Sequence, residues 1–181
     1  MRTFTAIVTA HEDGSAMILA IRSLLAQTRA PNEIIVLASD IGLSEAEEAY
    51  PEVRFYKEPN LGDWGHDKRA KGLDLASSDY TGWFNHDDSY DKTYIEVMMS
   101  EAEDGHDAVY CGWSKDSTPN FRSGSSTSGN YIVSTTLARE AGYTDRHYEA
   151  DGTFIEKIAS RSKSLKFVPK VLYFHNEVRN G

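Results

Sequence analysis

The sequence predicts an α/β fold, a single domain whose mainly parallel central sheet is flanked by helices. Three observations carry this. Short apolar runs rich in β-branched and aromatic residues alternate with stretches of helical period through the first half of the chain, the order that gives parallel strands joined by right-handed crossovers. At residues 80–90, YTGWFNHDDSY, an apolar strand ends abruptly in Asn85, His86, Asp87 and Asp88, and open sheets of this class bind ligands just past the carboxyl ends of their strands. Finally, no repeat or linker divides the 181 residues, a length suited to one core.

Residues 3–10 (TFTAIVTA) read as the first strand, broken by His11, Glu12, Asp13 and Gly14. Ser15 is the expected N-cap of a helix to about Gln27, with Ile18, Ile21, Leu24 and Leu25 along one face. A second strand covers 33–38, a short acidic helix 44–50 stopped by Pro51, and a third strand 53–56. A turn-rich loop at 60–65 leads into a helix over 66–76, and the strand from Tyr80 follows. Asp88 is expected to open a helix running to about Glu103, with a fifth strand at 108–113. Residues 114–130 show no hydrophobic period and are rich in Ser, Gly, Pro and Thr, which predicts a lid or a disordered loop. A short strand (131–134), two helices (136–141 and 151–160) and a late strand (167–174) complete the chain.

Composition narrows the function. The formal net charge of −9 argues against a nucleic-acid or anionic-membrane surface, which needs a basic patch. An anionic substrate stays compatible, because a bound cation supplies local positive charge. Cys111 is the single cysteine and reads as a small buried hydrophobe. No apolar run is long enough to span a bilayer and none resembles a signal peptide, so the expected location is cytoplasmic.

The adjacent carboxylates Asp87 and Asp88 suit a hard cation, Mn²⁺ or Mg²⁺, held against phosphates, although Asp-Asp-Ser is also a common helix start. Around them the sequence resembles a known family. SLLAQT (23–28) matches the pattern S-x-L-x-Q-T, NLG stands at 60–62, and KRAKGLDLASSDYTGWFNHDD (68–88) carries G-x-x-x-A-x-x-x-Y running into D-D. AGYTDRHYEADGTFIEKI (141–158) is similar to a G-G-F-D-E…E-D segment. Together these resemble a family 2-type glycosyltransferase with the Rossmann-like GT-A fold, over roughly residues 3–175, with a donor half at 1–90 and an acceptor half at 91–181.

The resemblance implies an enzyme that binds a nucleotide-diphosphate sugar, a UDP-sugar by preference, and moves the sugar to an acceptor hydroxyl with inversion. It places Asp88 on the metal and Asp87 on the ribose, with the order of the two left open, and His175 as a third metal ligand or an ordinary hydrogen-bonded histidine. Asn85 departs from the family's first Asp of D-x-D. Asp151 matches the general base, with Glu149 as the second candidate; taken alone, Asp151 reads first as the cap of the helix that follows it, and the two roles are compatible. Thr9, Ala10, His11 and Asp40 fall where the nucleotide's base and ribose are bound, and Arg69, in the basic trio Lys68, Arg69 and Lys71, approaches the same nucleotide. Trp64 and His66 wall the pocket or pack the loop. The chain ends soon after the last matched strand, which favours a glycan, small-molecule or protein acceptor. Two other readings stand beside this one: a non-catalytic nucleotide-sugar-binding relative, and a nucleotidyltransferase. The latter is disfavoured because residues 10–14 are acidic and lack G-x-G.

Overall fold

The computed structural model of the chain describes residues 1–175. In chain order the elements are β1 (Phe4–His11), α1 (Gly14–Leu25), β2 (Glu33–Ser39), α2 (Ser44–Ala49), β3 (Arg54–Lys57), α3 (His66–Leu75), β4 (Tyr80–Asn85) and β5 (Ser89–Tyr90). They continue with α4 (Tyr94–Glu103), β6 (Ala108–Trp113), β7 (Tyr131–Ser134), α5 (Thr135–Ala141), α6 (Ala150–Arg161) and β8 (Leu165–Phe174). The strands form one sheet in the order β3-β2-β1-β4-β7-β6-β8-β5. β3, β2, β1 and β4 are mutually parallel, as is the β6–β8 pair; β7 runs antiparallel to both β4 and β6.

The central strands are apolar almost throughout because both sheet faces are covered. On one face Phe4, Val8 and Val36 pack with Met17, Ile21 and Leu24 of α1 and Ile95 and Met98 of α4. On the other, Ile7, Ile35 and Trp83 pack with Leu73 of α3, Leu137 of α5 and Phe154 and Ile158 of α6. Gly72 lets α3 approach the sheet, since a Cβ there would stand 2.4 Å from Ile7 Cγ2. The register sets Thr9 beside Asn85 and His11 beside Ser39, so the polar residues that end β1, β2 and β4 come out at one edge of the sheet.

Three expectations are corrected. Asp13, not Ser15, caps α1, its Oδ1 accepting from the Ala16 N–H at 2.9 Å. Asp88 opens no helix: Ser89 and Tyr90 pair antiparallel with Phe174 and Tyr173, a tertiary pairing that overrides local helix signals, and α4 starts six residues later at Tyr94. Asp151 is not an N-cap either; Glu149 holds that position, and Asp151 lies inside the first turn of α6, its Oδ1 accepting from the Gly152 N–H. The segment 114–130 lacks regular structure but is packed: Phe121, Ser126, Ser128 and Asn130 are buried, and Asn130 Nδ2 donates to the Cys111 carbonyl at 2.8 Å. Burial pushes the Cys111 thiol up to about 12, so it stays protonated and inert.

Candidate active site

A cleft of about 540 Å³ opens past the carboxyl ends of β1 and β4. Its wall brings together Thr9, Ala10 and His11 of β1, Asn60, Gly62, Trp64 and Gly65 of the loop before α3, and Lys68 and Arg69 of α3. Asn85, His86 and Asp87 at the end of β4 and His175 after β8 complete it. Eight residues singled out from the sequence (Thr9, Ala10, His11, Trp64, Arg69, Asn85, Asp87 and His175) thus converge from four separate stretches. Asp40 stands at its margin, Oδ2 3.5 Å from His11 Nδ1. Asp151, Glu149 and Asp88 are not part of the wall.

Backbone geometry at the rim is unusual. Glu12, Asp40 and Trp64 are the non-glycine residues with positive φ among those described, at 59, 58 and 56°; the first two directly follow β1 and β2, and Trp64 stands just before α3. Asp63 stabilises the last of these turns: its Oδ1 accepts from Gly65 N–H at 3.1 Å, and its Oδ2 accepts from Asp67 N–H at 2.7 Å, which caps the start of α3.

The basic trio divides. Lys71 pairs with Glu58 at the surface, whereas Lys68 and Arg69 turn inward and are nearly buried. Lys68 Nζ donates to Ser39 Oγ at 2.7 Å, and burial lowers its pKa. Arg69 Nη2 donates to Asn85 Oδ1 at 2.8 Å and Nη1 to the Trp64 carbonyl at 2.9 Å, while its Nε is buried with no hydrogen-bond partner among the described residues. Neither cation forms an ion pair with any described residue, although both line the cleft. Beneath Arg69, His66 faces the Tyr143 hydroxyl at 3.2 Å; burial, and then the Arg69 charge, hold its pKa low.

Asp87 and Asp88 are adjacent and differ sharply in placement. Asp87 faces the cleft, and the Asp88 side chain is fully buried. Asp88 Oδ2 accepts from Asn85 Nδ2 at 2.7 Å and from the Tyr173 hydroxyl at 2.8 Å; Oδ1 lies 3.1 Å from His175 Nδ1. Burial, and then the Asp88 charge, raise the Tyr173 pKa well above its ordinary value, so its hydroxyl remains a donor. With Nδ1 of His175 occupied by Asp88 and Tyr173, Nε2 is the ring nitrogen left for a ligand, the carboxylate–histidine arrangement seen behind metal-bound imidazoles. The hard carboxylate fits Mn²⁺ or Mg²⁺, and the imidazole beside it suits Mn²⁺ better than Mg²⁺. A second group of potential ligands, His11, Glu12 and Asp40, lies within 4.8 Å of one another at the more exposed end of the cleft.

A sequence model of glycosyl transferase family 2 matches residues 5–165, most of the chain. The chain belongs to glycosyl transferase family 2. Solved glycosyltransferases share its architecture. S. aureus TarS 1-349 in complex with UDP matches with a TM-score of 0.77 at 13% identity, over 95% of this chain and 60% of that one. The mannosyltransferase PcManGT from Pyrobaculum calidifontis, in complex with GDP-Man and Mn²⁺, matches at 0.76 and 14% identity, over 97% of this chain and 57% of that one. At such identities the likeness is one of fold, and the chain spans less than two thirds of the length of either structure. No curated protein matches the chain significantly.

Lys68, His86 and Tyr173 join the site beyond the residues singled out from the sequence. For Lys68 the basic trio was the available signal; His86 lay inside the polar tetrapeptide; Tyr173 gave none, because it acts from within a strand. Among the described residues no helix is long and apolar enough to cross a membrane.

Proposed function

We propose that the chain transfers a sugar from a nucleoside-diphosphate donor, a UDP-sugar by preference, to an acceptor hydroxyl with inversion at the anomeric carbon, aided by Mn²⁺ or Mg²⁺. One observation carries this reading. Two nearly buried cations without ion-pair partners among the described residues, Lys68 and Arg69, share a cleft with the carboxylate of Asp87 and the imidazole of His175. Leaving a cation buried and uncompensated is costly, and a diphosphate would supply the anionic oxygens that Lys68 and Arg69 lack, while Asp87 and His175 would hold a divalent ion that offsets its remaining charge. The ligands held by the structural relatives, UDP-GlcNAc and GDP-Man as nucleotide sugars and UDP as a bare nucleoside diphosphate, are of this class.

In this reading residues 1–90 carry the donor and the rest of the domain serves the acceptor. Thr9, Ala10, His11 and Asp40 receive the nucleoside. Asp87 and His175 Nε2 hold the cation, and Asp88, buried behind them, fixes the histidine's orientation instead of taking the metal itself. When bound, the cation offsets the charge that develops on the departing diphosphate. Asn85 bridges the two halves of the site, accepting from Arg69 and donating to Asp88. Asp151 takes the proton from the attacking hydroxyl: it is half-buried in the first turn of α6 and its charge acts on His66 and Tyr143 behind Arg69, whereas Glu149 is exposed at the helix cap.

The test is a panel of UDP- and GDP-sugars with Mn²⁺, with and without simple glycosides as acceptors, read as release of the nucleoside diphosphate. Release from one donor, raised by an acceptor, supports transfer. Tight nucleotide binding with no release from any donor would make the chain a binding module.

A further inference from the structure

Two large aromatic residues stand exposed beside the cleft: Trp64, 60% accessible, and Tyr148, 72% accessible. They come from opposite halves of the chain and meet edge to face, ring centroids 5.4 Å apart at 79°. Exposing this much aromatic surface has no benefit for folding, yet the surrounding structure holds the pair in place. Trp64 sits at a φ of 56°, an uncommon conformation for a bulky residue, with its carbonyl accepting from Arg69 and its turn tied by Asp63. Arg146, two residues before Tyr148, clamps the facing segment to the same turn, its Nη2 3.1 Å from Asp67 Oδ1 and its Nε 3.9 Å from Asp63 Oδ2.

The position of the pair has chemical meaning. Trp64 lines the donor cleft, and Tyr148 precedes Asp151 by three residues. In an inverting displacement the acceptor hydroxyl must lie between the donor's anomeric carbon and the base, so the acceptor ring occupies the surface that joins these two elements. We infer that Trp64 and Tyr148 form a corner-shaped acceptor platform that takes a carbohydrate ring, the C–H face of the sugar lying on one aromatic ring and its edge against the other. A sugar ring has one face of aligned C–H bonds and a rim of hydroxyls; the aromatic faces suit the first, and the exposed polar side chains beside Tyr148, His147 and Glu149 among them, suit the second. This inference rests on the donor reading above and adds the acceptor's class: a glycan or glycoside rather than a flexible polyol or a protein side chain.

Saturation-transfer NMR tests it, using methyl β-glucopyranoside, methyl α-mannopyranoside and the methyl glycoside of N-acetylglucosamine as probes and glycerol as the acyclic control. Each is measured with diamagnetic Mg²⁺ and either UDP or GDP, on the wild type and on Tyr148→Ala, Tyr148→Phe and Trp64→Ala. Saturation reaching the ring C–H protons of at least one glycoside but not glycerol, weakened about tenfold in Tyr148→Ala and kept in Tyr148→Phe, is the expected result. Absence of transfer to all three glycosides, or undiminished transfer in Tyr148→Ala, overturns the platform. A parallel nucleotide titration of the wild type and the two Tyr148 variants, and a melting curve for Trp64→Ala, whose side chain lines the donor cleft, show that each is folded and separate the two claims. Nucleotide binding without glycoside contact removes the platform and leaves the donor reading standing; glycoside contact without nucleotide binding does the reverse.

Discussion

The buried guanidinium of Arg69 donates to an uncharged partner, Nη2 lying 2.8 Å from Asn85 Oδ1, at the position where the family pattern carries an aspartate. The amide is used at both ends, because its Nδ2 donates to Asp88 Oδ2 at 2.7 Å. An aspartate at 85 offers no such donor and sets two carboxylates face to face.

Asn85→Asp would give Arg69 a charged partner, but the lost donor and the like charge set against the fully buried Asp88 outweigh that gain, so stability without metal should fall by about 1–3 kcal/mol. Added Mn²⁺ should recover much of the loss. Melting temperatures in EDTA and in Mn²⁺ check this; a variant as stable as wild type in EDTA contradicts the bridging role.

Asp151→Asn keeps the acceptor oxygen that Gly152 N–H uses and removes only the basicity. Transfer should fall roughly 10²- to 10⁴-fold while nucleotide affinity is unchanged. Single-turnover kinetics beside a nucleotide titration separates the two quantities. An equal loss in both places Asp151 in structure instead of catalysis.

Gly129 supports the site at a distance. A Cβ there would stand 2.4 Å from the Tyr173 ring, whose hydroxyl donates to Asp88. Gly129→Ala should cost about 1–3 kcal/mol by overpacking and, by displacing Tyr173, weaken Mn²⁺ binding as well. A melting curve and a Mn²⁺ titration read the two effects; metal affinity equal to wild type argues against the Tyr173–Asp88 link.

Glu33 gives a pH signature. Burial pushes its pKa up, but hydrogen bonds from the Thr5 hydroxyl, the Ser77 N–H, Arg54 and the Ser77 hydroxyl together outweigh this and leave it below the ordinary 4.5. A depressed carboxylate pKa stabilises the fold above the unfolded-state value, and that stabilisation is lost as pH falls through the folded-state value. The stability advantage of wild type over Glu33→Gln should thus be full at neutral pH and shrink below about pH 4.5. A difference that does not change with pH would remove Glu33 from the account.

The parallel half of the fold and most of the cleft were legible in the sequence because they depend on local pattern. Apolar runs such as EIIVLA declare buried strands, and the polar residues that stop them fall by geometry at one edge of the sheet. What depends on distant partners was not legible. β5 is two residues long and exists only through its pairing with Phe174 and Tyr173, and β7 enters antiparallel between β4 and β6, which no feature of YIVS announces. The 114–130 segment has no period because its buried residues, Phe121, Ser126, Ser128 and Asn130, fill gaps rather than a face. Asp87 and Asp88 differ in burial for the same reason: both lie in the turn between β4 and β5, where Asp88 N–H donates to the Asn85 carbonyl at 3.4 Å, and only the distant partners Tyr173 and His175 show which of the two turns inward.

The central claim is that the cleft holds a nucleoside diphosphate through a cation on Asp87. Calorimetric titration of UDP and GDP, each in Mn²⁺ and in EDTA, on wild type and Asp87→Ala tests it most directly. The account predicts that one nucleotide, UDP first, binds wild type in Mn²⁺, binds much more weakly in EDTA, and loses its metal-dependent gain in Asp87→Ala. Binding that is equally tight in EDTA, or no binding of either nucleotide with metal present, would contradict it.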